Sequence, residues 1–136
     1  MQTKLYHYHF LSMFLVVILL SCGSTKKGTT DNINENCNTD KIKFKLTIFN
    51  KQGLVGEDDG KVALDYEFCV QNQVEYLTKI REIDSSIKPL NGKGRTKCAE
   101  NHIVMIGNSY NKDIKKILCN LSQLEYITEI NQVYWE

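Results

Sequence analysis

Apolar and polar positions alternate without a fault from Lys41 to Ile48, in the order Lys41-Ile42-Lys43-Phe44-Lys45-Leu46-Thr47-Ile48. A period of two predicts a strand with one buried face. Asn50 to Gly60 is rich in turn formers, and Asp59-Gly60 marks a turn before the next run. Val62, Leu64, Tyr66 and Phe68 then alternate with Ala63, Asp65, Glu67 and Cys69, which predicts a second strand. Its acidic outer face would complement the lysines of the first if the two paired. Asn72 and Glu75 form a capping box ahead of Val74, Leu77, Ile80 and Ile83, whose spacing is helical until Asp84-Ser85-Ser86 stops it. Ile87 to Leu90 contains Pro89 and suits an edge strand. After a glycine-rich loop from Asn91 to Cys98, the β-branched run His102 to Ile106 suits a central strand ending at Gly107. Asn111 opens a second helix, with Ile114, Ile117, Leu118 and Leu121 on one stripe, and Ile127 to Trp135 reads as a closing strand.

From Val62 onward the order is strand, helix, strand, strand, helix, strand, the split βαβ arrangement of ferredoxin-like domains. The expected fold is therefore an α+β sandwich over residues 41–136, two helices on an antiparallel sheet, with an additional N-terminal strand. In that arrangement the strand beginning at Val62 already has a neighbour on each side. The extra strand at 41–49 must then join an edge, or the strand order must differ.

Upstream of the domain, the stretch from Phe10 to Leu20 is apolar except for Ser12 and ends at Ser21-Cys22-Gly23, with Lys4 the one charged residue before it. It is too short to span a bilayer as a helix, which takes roughly 20 apolar residues. It fits the apolar region of a secretory signal, about 7–15 residues. A buried first helix and an uncleaved anchor are the competing readings. The Leu19-Leu20-Ser21-Cys22 junction resembles the signal of bacterial lipoproteins, in which cleavage precedes the cysteine. The resemblance covers residues 1–22 and implies that Cys22 carries a diacylglycerol, with a further palmitate-type chain on the freed amine. Two or more such attachments make anchoring stable. By the same resemblance, Gly23 after the cysteine favours the outer membrane. Lys26 and Lys27 stand where surface-exported lipoproteins of the Bacteroidota carry acids, which favours a domain facing the periplasm from the inner leaflet.

Residues 22–40 are dominated by Gly, Ser, Thr, Asn and Lys, with Ile33 the one large apolar side chain. Such a stretch cannot bury enough surface to offset its ordering entropy, so it reads as a lipidated tether. Without Lys4 the mature chain holds 16 basic residues against 16 acidic ones. That balance argues against nucleic acid as a partner, because such binding draws on concentrated Lys and Arg. The expected partners are the membrane, through Cys22, and an envelope protein or cell-wall component.

Besides Cys22 there are four cysteines, Cys37, Cys69, Cys98 and Cys119, and an even number in an exported small domain reads as two disulfides. Three pairings are open to them. A zinc site is the rival reading, but no C-x-x-C occurs and His102 is the one histidine after the leader. The ferredoxin-like arrangement puts Cys69 and Cys98 at one end of neighbouring strands, which predicts their pairing. At roughly 100° per residue Cys119 falls opposite its helix's apolar stripe and faces outward, where it could hold the tether through Cys37.

Candidate chemistry is sparse. Lys93, Arg95 and Lys97, interleaved with Gly92 and Gly94, combine positive charge with free amides in a loop able to hold a phosphate or carboxylate. It lacks the spacing of a P-loop, and a solvated hairpin tip is the plainer alternative. Glu57-Asp58-Asp59 lacks the alternating ligands of a calcium loop. Cys98 with His102 could act as nucleophile and base, or Cys69 and Cys98 as a redox pair, but only as reduced thiols. Trp135 is expected in the core and Tyr134 at a contact surface, neither holding a cofactor. The leading expectation is a binding or structural module of the cell envelope without a cofactor. An anion-binding module and a thiol enzyme are the alternatives.

Overall fold

The computed structural model describes residues 37–92 and 94–135. Lys93, Cys22 and the leader therefore lie outside the described residues. The domain is α+β, with two helices and antiparallel sheets. Its elements are β1 (Leu54–Val55), β2 (Val62–Ala63), β3 (Asp65–Gln71), α1 (Val74–Ile83), β4 (Lys88–Pro89), β5 (His102–Asn108), α2 (Ile114–Gln123) and β6 (Asn131–Gln132). β1 and β2 form a small ribbon, and the four-stranded sheet runs in the order β4-β5-β3-β6, each neighbour antiparallel.

β3 and β5 carry the sheet, paired from Asp65 opposite Asn108 to Gln71 opposite His102. Alternation on β3 sends Tyr66, Phe68 and Val70 into the core, where they share one buried cluster with Ile80 of α1 and Ile114, Ile117, Leu118 and Leu121 of α2. Met105 and Gly107 stand opposite Phe68 and Tyr66 on β5. A Cβ at Gly107 would lie 2.3 Å from the Tyr66 ring, so only glycine lets that ring lie flat across its partner strand. Pro89 sits on the edge strand, where its missing N–H costs no ladder bond.

The strand expected at Val62–Cys69 breaks at Leu64, and Ser109 holds the break. Its hydroxyl accepts from the Leu64 N–H at 2.8 Å and donates to the Gly53 carbonyl at 2.6 Å, and its own N–H donates to the Leu64 carbonyl at 2.8 Å. Gly53 has φ +81°, and a Cβ there would stand 1.8 Å from the Ser109 carbonyl oxygen. One buried hydroxyl thus ties the β1–β2 ribbon to the sheet.

The additional N-terminal strand expected at 41–49 does not form. The segment folds into two 3-10 turns, Thr39–Lys41 and Leu46–Ile48, and touches the sheet at one parallel bridge, Ile42 to Ile130 beyond β6. Ile42, Leu46 and Phe49 are buried, whereas Ile48 is 42% exposed. Spacings of four and three cannot share one side of an extended strand, but they can in a chain turned twice. The closing strand expected at Ile127–Trp135 shrinks to Asn131–Gln132, because turns occupy the residues before it. The helix starts also shift. α1 is capped by Gln73, not Asn72, and no side chain completes the cap. Asn111 forms a turn whose Oδ1 accepts from the Asp113 N–H at 2.9 Å, and α2 starts three residues later.

Cys37 bonds to Cys119 and Cys69 to Cys98, the expected pairings. Cys119 does not face outward as expected: it is 1% exposed. The incoming segment, fastened by the bond itself and bridged at Ile42, covers that side of α2.

Candidate functional site

On β3 the residues between the core-facing ones, Asp65, Glu67 and Cys69, point to the opposite side of the sheet. The sequence suggested a solvated acidic face, but Glu67 is 1% exposed. The Cys69–Cys98 bond draws residues 94–98 across this face, and they close over the Glu67 side chain. Glu67 Oε1 accepts from the Thr96 N–H at 2.5 Å. A Cβ at Gly94 would approach Oε2 to 2.8 Å, so glycine permits the close crossing. Asn131 Nδ2 donates to Thr96 Oγ1 at 3.3 Å and to Glu129 Oε1 at 3.0 Å, tying the loop to β6. Among the described residues Oε2 has no hydrogen-bond partner.

What the loop covers is the chain's own Glu67 side chain. Arg95 and Lys97 are exposed at its surface, and Lys93 lies outside the described residues. An amide expected to be free for an external phosphate is engaged from within. Sequence reasoning missed Glu67, although a signal existed: it shares its face with Cys69, and the expected Cys69–Cys98 bond had to carry the loop over that face.

Cys98 holds no thiolate in this state, because its sulfur is bonded to Cys69. His102 directs Nδ1 to the Glu100 carbonyl at 3.1 Å. The described residues contain no group of three or more His, Cys, Asp or Glu placed to hold a metal ion. Asp58, in the acidic turn, reaches Lys61 at 2.5 Å.

Four other features flank the fold. A polar groove of about 810 Å³ runs between α1 and α2, lined among others by Arg81, Asp84, Asn111, Lys116 and Asn120. Near Asp84 lies the buried Tyr66 hydroxyl, which has no hydrogen-bond partner among the described residues. Burial first, and the Asp84 carboxylate second, hold this phenol far above the ordinary tyrosine range. Tyr76 and Tyr126 stack with ring centroids 3.9 Å apart, and burial, then Tyr76, then Glu75 raise the Tyr126 phenol.

At the end of the sheet, Trp135 is 66% and Tyr134 63% exposed, so Trp135 is not the core residue the pattern suggested. Trp135 Nε1 donates to Asp65 Oδ2 at 2.7 Å, and Asn108 Nδ2 donates to Asp65 Oδ1 at 2.6 Å. With β6 only two residues long, the chain has left the ladder before it reaches the indole. The fourth feature is an open groove of about 560 Å³ formed by residues 39–47.

No helix among the described residues is long and apolar enough to cross a membrane. The two disulfides fit an oxidising, extracytoplasmic setting. Comparison with protein-family models, with curated proteins and with solved structures returns no match for this chain.

Proposed function

We propose that this chain is a lipid-anchored protein of the bacterial cell envelope, attached through Cys22 and facing the periplasm from the inner leaflet of the outer membrane. Its folded domain acts as a binding or structural module for an envelope protein or cell-wall component. The observation that carries this reading is the cysteine arithmetic. Of five cysteines, four close two disulfides with one another, which leaves Cys22 as the odd one, at the end of the apolar run. An odd cysteine in an exported protein calls for a separate chemistry, and a thioether to diacylglycerol supplies it.

The domain is best read as ferredoxin-like. Counting from β3, the sheet order is second, third, first, fourth strand, with a helix after the first and another after the third, which supports a split βαβ arrangement. Tyr134 and Trp135 at its open end supply exposed aromatic area of the type enriched at interfaces.

Mass spectrometry of the N-terminal peptide of the native protein tests the anchor. The expected species begins at Cys22 and carries the mass of diacylglycerol. A chain beginning at Met1, with an unmodified Cys22 thiol, would overturn the reading. Mild crosslinking followed by co-purification tests the partner, with loss of the captured species expected in Tyr134→Ala/Trp135→Ala.

A further inference from the structure

The 39–48 segment combines positive charge with exposed apolar side chains. After Asp40, the chain from Lys41 to Gly56 holds four lysines and no acid, in a mature sequence with 16 basic and 16 acidic residues in all. Lys43 and Lys45 are exposed on either side of the half-buried Phe44, and Ile48 is 42% exposed beside them. Phe44 packs edge-on against the buried Phe49 at 6.1 Å, which fixes the ring in place, and the Lys43 ammonium donates to the Asp40 carbonyl at 2.9 Å. Lys43, Phe44 and Lys45 line the 560 Å³ groove together with Ile42 and Leu46. Basic side chains flanking half-exposed apolar ones are the composition of surfaces that lie on anionic bilayers.

The position of this surface follows from the Cys37–Cys119 bond. It fastens the chain to α2 two residues before the first 3-10 turn, so the tether must leave the domain beside the groove. Only fourteen residues, 23–36, separate Cys22 from that point. Fourteen residues span at most about 50 Å at full extension. A domain held so closely meets the bilayer with the face nearest its tether, and the attraction of lysine to anionic headgroups acts within a Debye length, about 8–10 Å.

We infer that the 39–48 surface docks on the membrane that anchors the chain, with Lys43 and Lys45 engaging anionic phospholipid headgroups and Phe44 and Ile48 entering the headgroup layer. This inference takes the orientation of the domain from the lipid-anchor reading, but the surface itself is independent of acylation.

The test is hydrogen exchange of the full chain on vesicles, read by mass spectrometry on peptides covering 41–49. Phosphatidylglycerol–phosphatidylcholine vesicles are compared with phosphatidylcholine alone. The expected result is slower exchange over 43–48 on the anionic vesicles only, relieved by high salt. In Lys43→Glu/Lys45→Glu the protection falls by about fivefold for each lysine. The same change of charge at exposed positions elsewhere, Lys88→Glu/Lys112→Glu, leaves it in place. Unchanged exchange over the β5 peptide shows that each variant is folded. Equal exchange on the two vesicle types, or equal loss in both double variants, overturns the inference. The N-terminal mass of the same sample reports acylation separately: protection without acyl chains sinks the anchor and not the surface, and acyl chains without protection do the reverse.

Discussion

Ser109 is fully buried, and its hydroxyl serves two backbone partners that have no other route to water. Ser109→Ala leaves a buried N–H and a buried carbonyl unsatisfied, and the expected cost is about 1–3 kcal/mol in chemical denaturation. Tyr66 makes the opposite case. Its hydroxyl has no hydrogen-bond partner among the described residues, so Tyr66→Phe gives up no bond and should be close to neutral at pH 7. The difference appears in alkali. In the unfolded chain the phenol ionises near pH 10, whereas the folded state holds its proton well above that. The folded state therefore binds the extra proton, and stability falls as pH rises past about 10. Tyr66→Phe should flatten that alkaline limb, measured as denaturation midpoint against pH. An unchanged limb would place the titration elsewhere. Glu67 shows why a side chain's role was not always legible. An acid on an alternating strand reads as solvated, and only the path of a loop some thirty residues later makes it internal.

At the scale of elements, α1 starts without a side-chain cap although the Gln73 backbone, at φ −117° and ψ 132°, has the extended geometry a cap requires. Gln73→Asp should supply the missing acceptor for an N-terminal amide and stabilise the domain by about 1 kcal/mol. Thermal unfolding reads this directly, and a lower midpoint would show that the neighbouring loop does not admit the aspartate. β3 and both helices were legible because each keeps one period, and β5 because a continuous β-branched run suits a strand with a neighbour on either side. The 41–48 segment has an even cleaner alternation and still is no strand. Alternation reports which residues could share a face, but a strand also requires an edge to bond to, and beyond β6 that edge is one residue, Ile130. The closing strand fails for a different reason: the chain is still turning after α2, so it reaches β3 only at Tyr66 and Glu67 although β3 continues to Gln71.

For the whole molecule, the covalent framework was the most legible feature: the Cys69–Cys98 pairing followed from which strand ends neighbour one another, whereas Cys37–Cys119 formed although Cys119 does not face outward as its argument supposed. The candidate site was half legible: the basic loop could be named from its glycines and cations, but not the carboxylate already lodged beneath it. Removing the bond between distant parts of the chain, by Cys37→Ser/Cys119→Ser, should cost about 2–4 kcal/mol, because it frees a loop of 82 residues in the unfolded state. A midpoint within error of the wild type in denaturant titration would show that the packing of Ile42 and Leu46 alone holds the segment. The position of this bond has a mechanical consequence as well. A pull transmitted along the leader side of the chain passes from Cys37 straight into the middle of α2, so the tension bypasses the turns at 39–48 and meets the helix across its length. Reduced, the same pull would peel the segment away from Ile130 one contact at a time, and the domain would yield at its weakest seam.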